Sequence, residues 1–166
     1  MKLLRSLLLL SASILLLTST THAAPSAPKE DTSDPVKLYN KAWEALQELE
    51  FAEAAKLLRS SLEENDDFAE AHNNLAYSLR KQGKDHFDEA LRHYTRAIEI
   101  DRRLVEAYMY RGVLYIQMGN KDKALADHAT LLKMDEKLAA ELEWVIENGK
   151  EKEPEQFFGV AKKIDI

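Results

Sequence analysis

The chain has 166 residues, 5 glycines, 4 prolines, no cysteine and a formal net charge of -6 at neutral pH. This length suits one domain, and so little glycine and proline leaves too few turns for a sandwich or barrel of short strands. Without cysteine the chain has no disulfide and no thiolate metal site, and its acidic balance argues against a nucleic-acid partner. We expect an all-α protein.

Residues 1–23 have the pattern of a secretory signal peptide. Lys2 and Arg5 precede an apolar run over 7–17, and small side chains follow it. The run is much shorter than the roughly 20 residues that a membrane-spanning helix needs, so we expect cleavage rather than retention as an anchor. We therefore predict export to a bacterial periplasm or the extracellular space, without stable membrane insertion. Residues 24–34 hold two prolines and no large apolar side chain, which predicts a disordered leader.

Small residues recur in the rest of the chain with a period of 34 residues. The period is lengthened once, by two residues in the turn 83–86. The recurring residues are Ala42, Ala76 and Gly112 at one place in the unit, and Ala54, Ala90 and Ala124 at another. Because antiparallel helices approach most closely where side chains are small, the pattern predicts three helix pairs, at about 35–68, 69–104 and 105–138.

Residues with capping preferences mark where these helices begin and end. Asp34 followed by Pro35 is a typical helix start. Gly83 and Gly119 are predicted to end the first helices of the second and third pairs. A further helix is predicted over 136–149, and we expect it to cap the apolar face of the third pair.

The third pair carries a motif of small and aromatic residues, namely Ala107, Tyr108, Gly112, Tyr115, Gly119 and Ala124. In this spacing it resembles the tetratricopeptide repeat family. The second pair matches the same pattern with Ala76, Leu79, Gly83, Ala90, Tyr94 and Ala97. The resemblance implies a helix-turn-helix solenoid over 35–149 that works as a protein–protein interaction module. It also implies a concave groove lined by the first helix of each pair.

The residues that the resemblance assigns to this groove come from all three pairs. They are Tyr39, Asn40 and Trp43, then Asn73, Asn74, Tyr77, Arg80 and Lys81, and finally Met109, Tyr110 and Val113. Asn40 and Asn74 are one period apart, and a side-chain amide offers the donor and the acceptor that match a peptide backbone. We therefore expect the groove to bind an extended or helical segment of a partner protein.

The other groove side chains leave alternatives open. Trp43 and Tyr77, also one period apart, either anchor a partner as flat apolar surfaces or pack between neighbouring helices. Arg80 and Lys81 either belong to a solvated helix face or select an acidic partner segment. Chaperone-docking members of the resembling family grip a terminal carboxylate with Lys, Asn and Arg side chains. Of those positions only Asn74 is retained here, so a carboxylate clamp is not expected.

The segment 150–166 carries an apolar stripe that includes Phe157 and Phe158. We expect it to fold back as a short docked helix that extends the cap, where each buried Phe adds about 1.5–3 kcal/mol. Two alternatives remain: the Phe pair is a docking motif for another protein, or the segment occupies the chain's own groove.

The sequence contains no recognisable catalytic or metal-binding motif. No glycine-rich phosphate loop, GxSxG or HExxH sequence occurs. No two histidines have the i, i+4 spacing of a helical metal site, and we assign His72 and His128 to packing or solvent exposure. We therefore predict no enzyme activity, no cofactor and no metal, with an unrecognised enzyme as the remote alternative.

Together these features predict a non-catalytic interaction module or scaffold. Its partner is expected to be a protein or peptide, and not nucleic acid. The alternative is an accessory structural subunit of a cell-envelope complex, assembled through the tail and the solenoid ends. The identity of the partner and the oligomeric state stay open at this point.

Overall fold

The computed structural model describes residues 34–152 and 162–165. The predicted signal peptide, the leader before Asp34, and Phe157 and Phe158 lie outside the described residues. Within the described part the chain forms α-helices and no strand, which confirms the all-α prediction. The helices are α1 (Pro35–Gln47), α2 (Phe51–Glu64), α3 (Ala69–Gln82), α4 (Phe87–Ile100), α5 (Val105–Gln117), α6 (Lys121–Leu131) and α7 (Glu136–Asn148), with a 3₁₀ turn at Lys84–His86.

The helix boundaries follow the capping residues. The Asp34 carboxylate accepts hydrogen bonds from the backbone N–H groups of Val36 and Lys37 at 2.9 and 3.2 Å, and Pro35 is the first helical residue. Gly83 ends α3 with a φ of +120°, a conformation that side chains with a Cβ rarely adopt. These starts and stops agree with the prediction from sequence.

The helices form a layered solenoid. Each helix packs against the one that follows it, and α1, α3, α5 and α7 also pack side by side. The first helices of the three pairs and α7 therefore make one continuous layer, flanked by α2, α4 and α6. The recurring small residues are all buried in these contacts: Ala42, Ala54, Ala76, Ala90, Gly112 and Ala124.

The contact between α5 and α7 explains the glycine in the third pair. A Cβ atom added at Gly112 would lie 2.5 Å from Cδ2 of Leu142, which is fully buried. Leu138 and Val145 of α7 are buried as well. α7 thus covers the apolar side of α5, and only glycine leaves room for Leu142 in its present position.

A buried ion pair joins the two helices of the third pair. Arg111 on α5 donates from Nε and Nη2 to the two carboxylate oxygens of Asp127 on α6, at 3.0 and 2.7 Å. The Asp127 carboxylate is only 5% exposed. The two-point geometry fixes how α6 lies against α5.

Along residues 34–152, no helix combines the length and the hydropathy that crossing a membrane requires.

Candidate functional site

The predicted groove residues lie on α1, α3 and α5, which are neighbours in one layer. We use the name groove for the surface of this layer formed by Tyr39, Asn40, Tyr77, Arg80 and Tyr110. Part of this surface is covered by two stretches of the same chain that follow α7. Residues 162–165 lie on α1, and Glu151 lies on α3.

Asn40 binds the backbone of Ile164 through both groups of its side-chain amide. Its Nδ2 donates to the Ile164 carbonyl oxygen at 2.8 Å, and the Ile164 N–H donates to its Oδ1 at 2.9 Å. The two bonds satisfy the donor and the acceptor of one residue in a segment that has no regular secondary structure. This is the amide-to-backbone pairing that we expected for a bound segment, made here within the chain.

Tyr39 provides the second contact to this segment. Its hydroxyl donates to the Lys162 carbonyl oxygen at 2.7 Å and accepts from Nδ2 of Asn74 at 3.1 Å. Asn74 in turn accepts a hydrogen bond from Asn73. Burial, and secondly the charge of Glu70, raise the pKa of Tyr39, so that the hydroxyl stays a neutral donor.

The two equivalent asparagines therefore have different partners among the described residues. Asn40 contacts the backbone of the docked segment, whereas Asn74 is fully buried and orients the Tyr39 hydroxyl. The two amides occupy equivalent positions on α1 and α3, and the hydrogen bonds described for them differ. The difference arises because the Tyr39 hydroxyl on α1 accepts a hydrogen bond from the Asn74 amide on α3.

Side chains add two further contacts at α1. Lys163 Nζ lies 2.6 Å from Oε1 of Glu44, in an exposed ion pair. Ile164 is half-buried and packs against the hydrophobic core. Sequence reasoning identified neither Glu44 nor Ile164 as a site residue, because no local pattern connects positions more than a hundred residues apart.

Arg80 binds the carboxylate of Glu151 in a two-point ion pair. Nη1 and Nη2 donate to Oε2 and Oε1 at 2.8 and 2.9 Å, and the guanidinium also stacks near the rings of Tyr77 and Tyr110. Burial alone would raise the pKa of Glu151, but the hydrogen bonds from Arg80 outweigh it and hold that pKa below its usual range. The sequence left two alternatives for Arg80, a solvated helix face or the selection of an acidic partner segment. The side chain is buried rather than solvated, and the acidic side chain that it binds belongs to this chain.

The remaining predicted residues divide between packing and partial exposure. Tyr77 packs between Phe51 and Tyr110, with ring centroids 6.0 and 5.0 Å away, and is 3% exposed. Trp43 and Lys81 are half-buried. Met109 and Val113 belong to the hydrophobic core cluster, because α5 is packed between α3 and α7.

A pair of histidines lies outside the groove. The Nδ1 atoms of His72 on α3 and His93 on α4 are 2.8 Å apart, and the rings stack. The sequence predicted packing or exposure for His72, but its partner was not predicted, since the two residues lie on different helices. Among the described residues, no group of three or more His, Asp or Glu side chains is arranged to hold a metal ion.

Comparison with known proteins identifies the repeat. The tetratricopeptide repeat family model matches residues 39–85 and 84–137. Human tetratricopeptide repeat protein 6 is 34% identical over 82 residues, which make up 49% of this chain and 15% of that protein. The chain thus spans only a small part of the length of this relative.

Several solved structures share the fold. The Arabidopsis OM64 TPR domain has a TM-score of 0.64 and 20% identity, covering 72% of this chain and 98% of that one. The first TPR of Spaghetti (RPAP3), bound to the HSP90 peptide SRMEEVD, has a TM-score of 0.63 and 17% identity over 70% and 93% of the two chains. The Yersinia enterocolitica type III secretion chaperone SycD, in complex with a peptide of the translocator YopD, has a TM-score of 0.61 and 13% identity over 68% and 89%.

These TM-scores establish the fold, and the family model extends from residue 39 to residue 137, over more than half of the sequence. The chain therefore belongs to the tetratricopeptide repeat family.

Proposed function

We propose that the chain is a protein-interaction module that binds an extended segment of a partner protein along the groove. The observation that carries this proposal is the pair of hydrogen bonds between the Asn40 amide and both backbone groups of Ile164. A site that recognises backbone atoms accepts segments of many sequences, and neighbouring side chains then select among them.

The family and its structural neighbours support this proposal. The tetratricopeptide repeat is generally a non-catalytic interaction fold. Two of the similar structures contain a bound peptide, from HSP90 in one case and from YopD in the other. We infer a protein or peptide partner here as well, and a role in binding rather than in catalysis.

The mode of recognition differs from a carboxylate clamp. Tyr39 and Trp43 occupy clamp positions of the first pair, and Glu106 and Tyr110 occupy those of the third. The Tyr39 hydroxyl and the Asn40 amide instead point to backbone carbonyl and N–H groups. We therefore propose recognition along a segment rather than at its terminus.

We also propose that the chain is exported. This proposal is supported by the charge pattern and apolar run of residues 1–23. Mass spectrometry of the protein from its native source tests it: a chain that begins near residue 24 is expected, and a chain that retains residues 1–23 would contradict cleavage.

Peptide selection tests the binding proposal. A library of displayed random peptides is selected on the full chain, and the recovered peptides are then measured against Asn40→Ala and against Lys56→Ala. Lys56 lies on α2 with its side chain 74% exposed, so this substitution is the matched control. We expect binding to weaken at least tenfold in Asn40→Ala and to stay unchanged in Lys56→Ala. Peptides that bind both variants equally would contradict a site at Asn40.

A further inference from the structure

The chain after α7 contacts the groove at two separate helices. Glu151, just past the end of α7, pairs with Arg80 on α3. Residues 162–165 lie on α1, where Asn40 and Tyr39 bind their backbone. At α1 the segment forms backbone hydrogen bonds, an ion pair through Lys163 and an apolar contact through Ile164. A specific peptide ligand makes the same kinds of contact.

We propose that residues 162–165 are a ligand of the groove held in cis, and that a partner segment binds at α1 by displacing them. This inference rests on the proposed function, because it assigns to the same site its occupant in the absence of a partner. The groove at α1 is thus closed in the free protein and opens only to a segment that competes with the docked one.

The docked segment also defines the chemistry of its competitor. Lys163 faces the Glu44 carboxylate at 2.6 Å, and Ile164 packs against the core. A displacing segment therefore has an extended backbone with a basic side chain followed by an aliphatic one. An acidic side chain in place of Lys163 would face Glu44 and be repelled.

Because residues 162–165 are covalently linked to the groove, a separate peptide displaces them only at a high concentration or with a higher affinity. A tethered segment acts at an effective concentration on the order of millimolar, so an external peptide of the same sequence has to compete against it. The affinity of the full chain for such a peptide is then lower than the intrinsic affinity of the groove. Disabling the docked segment without touching the groove should restore the intrinsic value.

The test uses a fluorescein-labelled peptide with the sequence of residues 159–166, titrated into the full chain and followed by anisotropy. Ile164→Pro in the chain removes the backbone N–H that donates a hydrogen bond to Oδ1 of Asn40, and it changes no residue of the groove. Asp165→Ala, at an exposed position of the same segment, is the matched control. We expect at least tenfold tighter peptide binding to Ile164→Pro than to the wild type and to Asp165→Ala. Adding Asn40→Ala to Ile164→Pro should abolish the gain.

Three results would overturn the proposal. Equal affinity of the wild type and Ile164→Pro would show that the segment does not occupy the groove in solution. Undetectable binding to Ile164→Pro would show that the segment has no affinity for the site. A wild-type dimer in sedimentation velocity that Ile164→Pro converts to a monomer would show that the segment docks on a second copy.

The two proposals fail separately. If peptides selected from the library bind the full chain through Asn40 and Ile164→Pro leaves their affinity unchanged, the groove binds partners and the docking in cis is wrong. If neither the wild type nor Ile164→Pro selects any peptide, the proposed function itself fails.

Discussion

His72 and His93 form a hydrogen bond between their Nδ1 atoms, 2.8 Å apart, across the contact of α3 and α4. Nε2 of His72 lies 3.0 Å from the Asp66 carbonyl oxygen, so this nitrogen carries the proton and donates it there. Nδ1 of His72 is then the acceptor and Nδ1 of His93 the donor. The hydrogen bond needs one Nδ1 atom without a proton, so the two buried rings cannot both be imidazolium ions, and a charge on either ring is held next to the other ring.

Acidification should therefore weaken the fold. Burial, and secondly the neighbouring His72, lower the pKa of His93 to about 4, and burial also lowers the pKa of His72. The unfolded chain binds protons near pH 6.5 and the folded chain does not, so stability falls as pH drops below 6.5. Between pH 7 and pH 5 we expect His93 alone to remove about 2 kcal/mol from the free energy of unfolding.

Urea titrations at pH 7 and pH 5 measure this loss. His93→Gln keeps an N–H donor for His72 but does not titrate, so its loss over the same interval should be clearly smaller. The nearby charges are common to both proteins: Arg59 on α2, Asp66 in the turn between α2 and α3, and Glu89 and Arg96 on α4. An equal loss in both would mean that the histidine pair does not set the pH dependence.

Gly112 should be intolerant of a methyl group. In a helix without neighbours, Gly→Ala would stabilise by about 1 kcal/mol. Here the new Cβ would lie within 3 Å of two Leu142 atoms, so we expect Gly112→Ala to destabilise by about 1–3 kcal/mol instead. Thermal unfolding of Gly112→Ala, Leu142→Ala and the double variant should show that the two losses are less than additive. A more stable Gly112→Ala protein would contradict the close approach of α7.

Leu49 and Gly119 occupy equivalent turns, but of the two only glycine adopts the positive φ of such a turn without strain. Both have positive φ, +62° and +78°, and both follow the first helix of a pair. The exposed Leu49 is strained in this conformation, whereas a Cβ on Gly119 would meet no atom within 4 Å. We expect Leu49→Asn to stabilise by about 0.5–1 kcal/mol and Gly119→Ala to destabilise by about 1 kcal/mol in urea titrations. Losses of equal size in both variants would contradict this assignment.

Removing one partner of the Arg80–Glu151 pair should lower the free energy of unfolding more than removing both. Glu151→Ala leaves a guanidinium with a fully buried side chain unpaired, and we expect a loss of about 2–4 kcal/mol. Arg80→Met combined with Glu151→Ala should recover most of that loss, because no buried charge remains. Calorimetric unfolding of the three proteins checks the order. A double variant less stable than Glu151→Ala would mean that Arg80 stabilises the fold mainly through its contacts with Tyr77 and Tyr110.

The repeat could be predicted because its cause is local. Small residues one period apart, such as Ala42 and Ala76, determine where helices meet, and Asp34 and Gly83 determine where they begin and end. The backbone-binding role of Asn40 could also be anticipated, since it follows from the chemistry of a side-chain amide. The segment that occupies the site was only one of the alternatives left open for residues 150–166, because Ile164 is distant in sequence and the apolar stripe around it favoured a docked helix.

Two other features depend on side chains that become neighbours only in the folded chain. For Arg80 the sequence left open a solvated helix face or an acidic partner segment, whereas the carboxylate that Arg80 binds comes from Glu151 of the same chain. The packing of Met109 and Val113 into the core follows from α7, which covers the side of α5 that would otherwise be open.

The central claim is that a partner segment binds at the surface of α1, α3 and α5. Nuclear magnetic resonance of the full chain, titrated with a peptide selected from the library, tests it most directly. We predict that the side-chain amide signal of Asn40 and the backbone signals of residues 162–165 shift on binding, while those of α2, α4 and α6 stay in place. Shifts confined to α2, α4 and α6, with the Asn40 amide unmoved, would contradict the account.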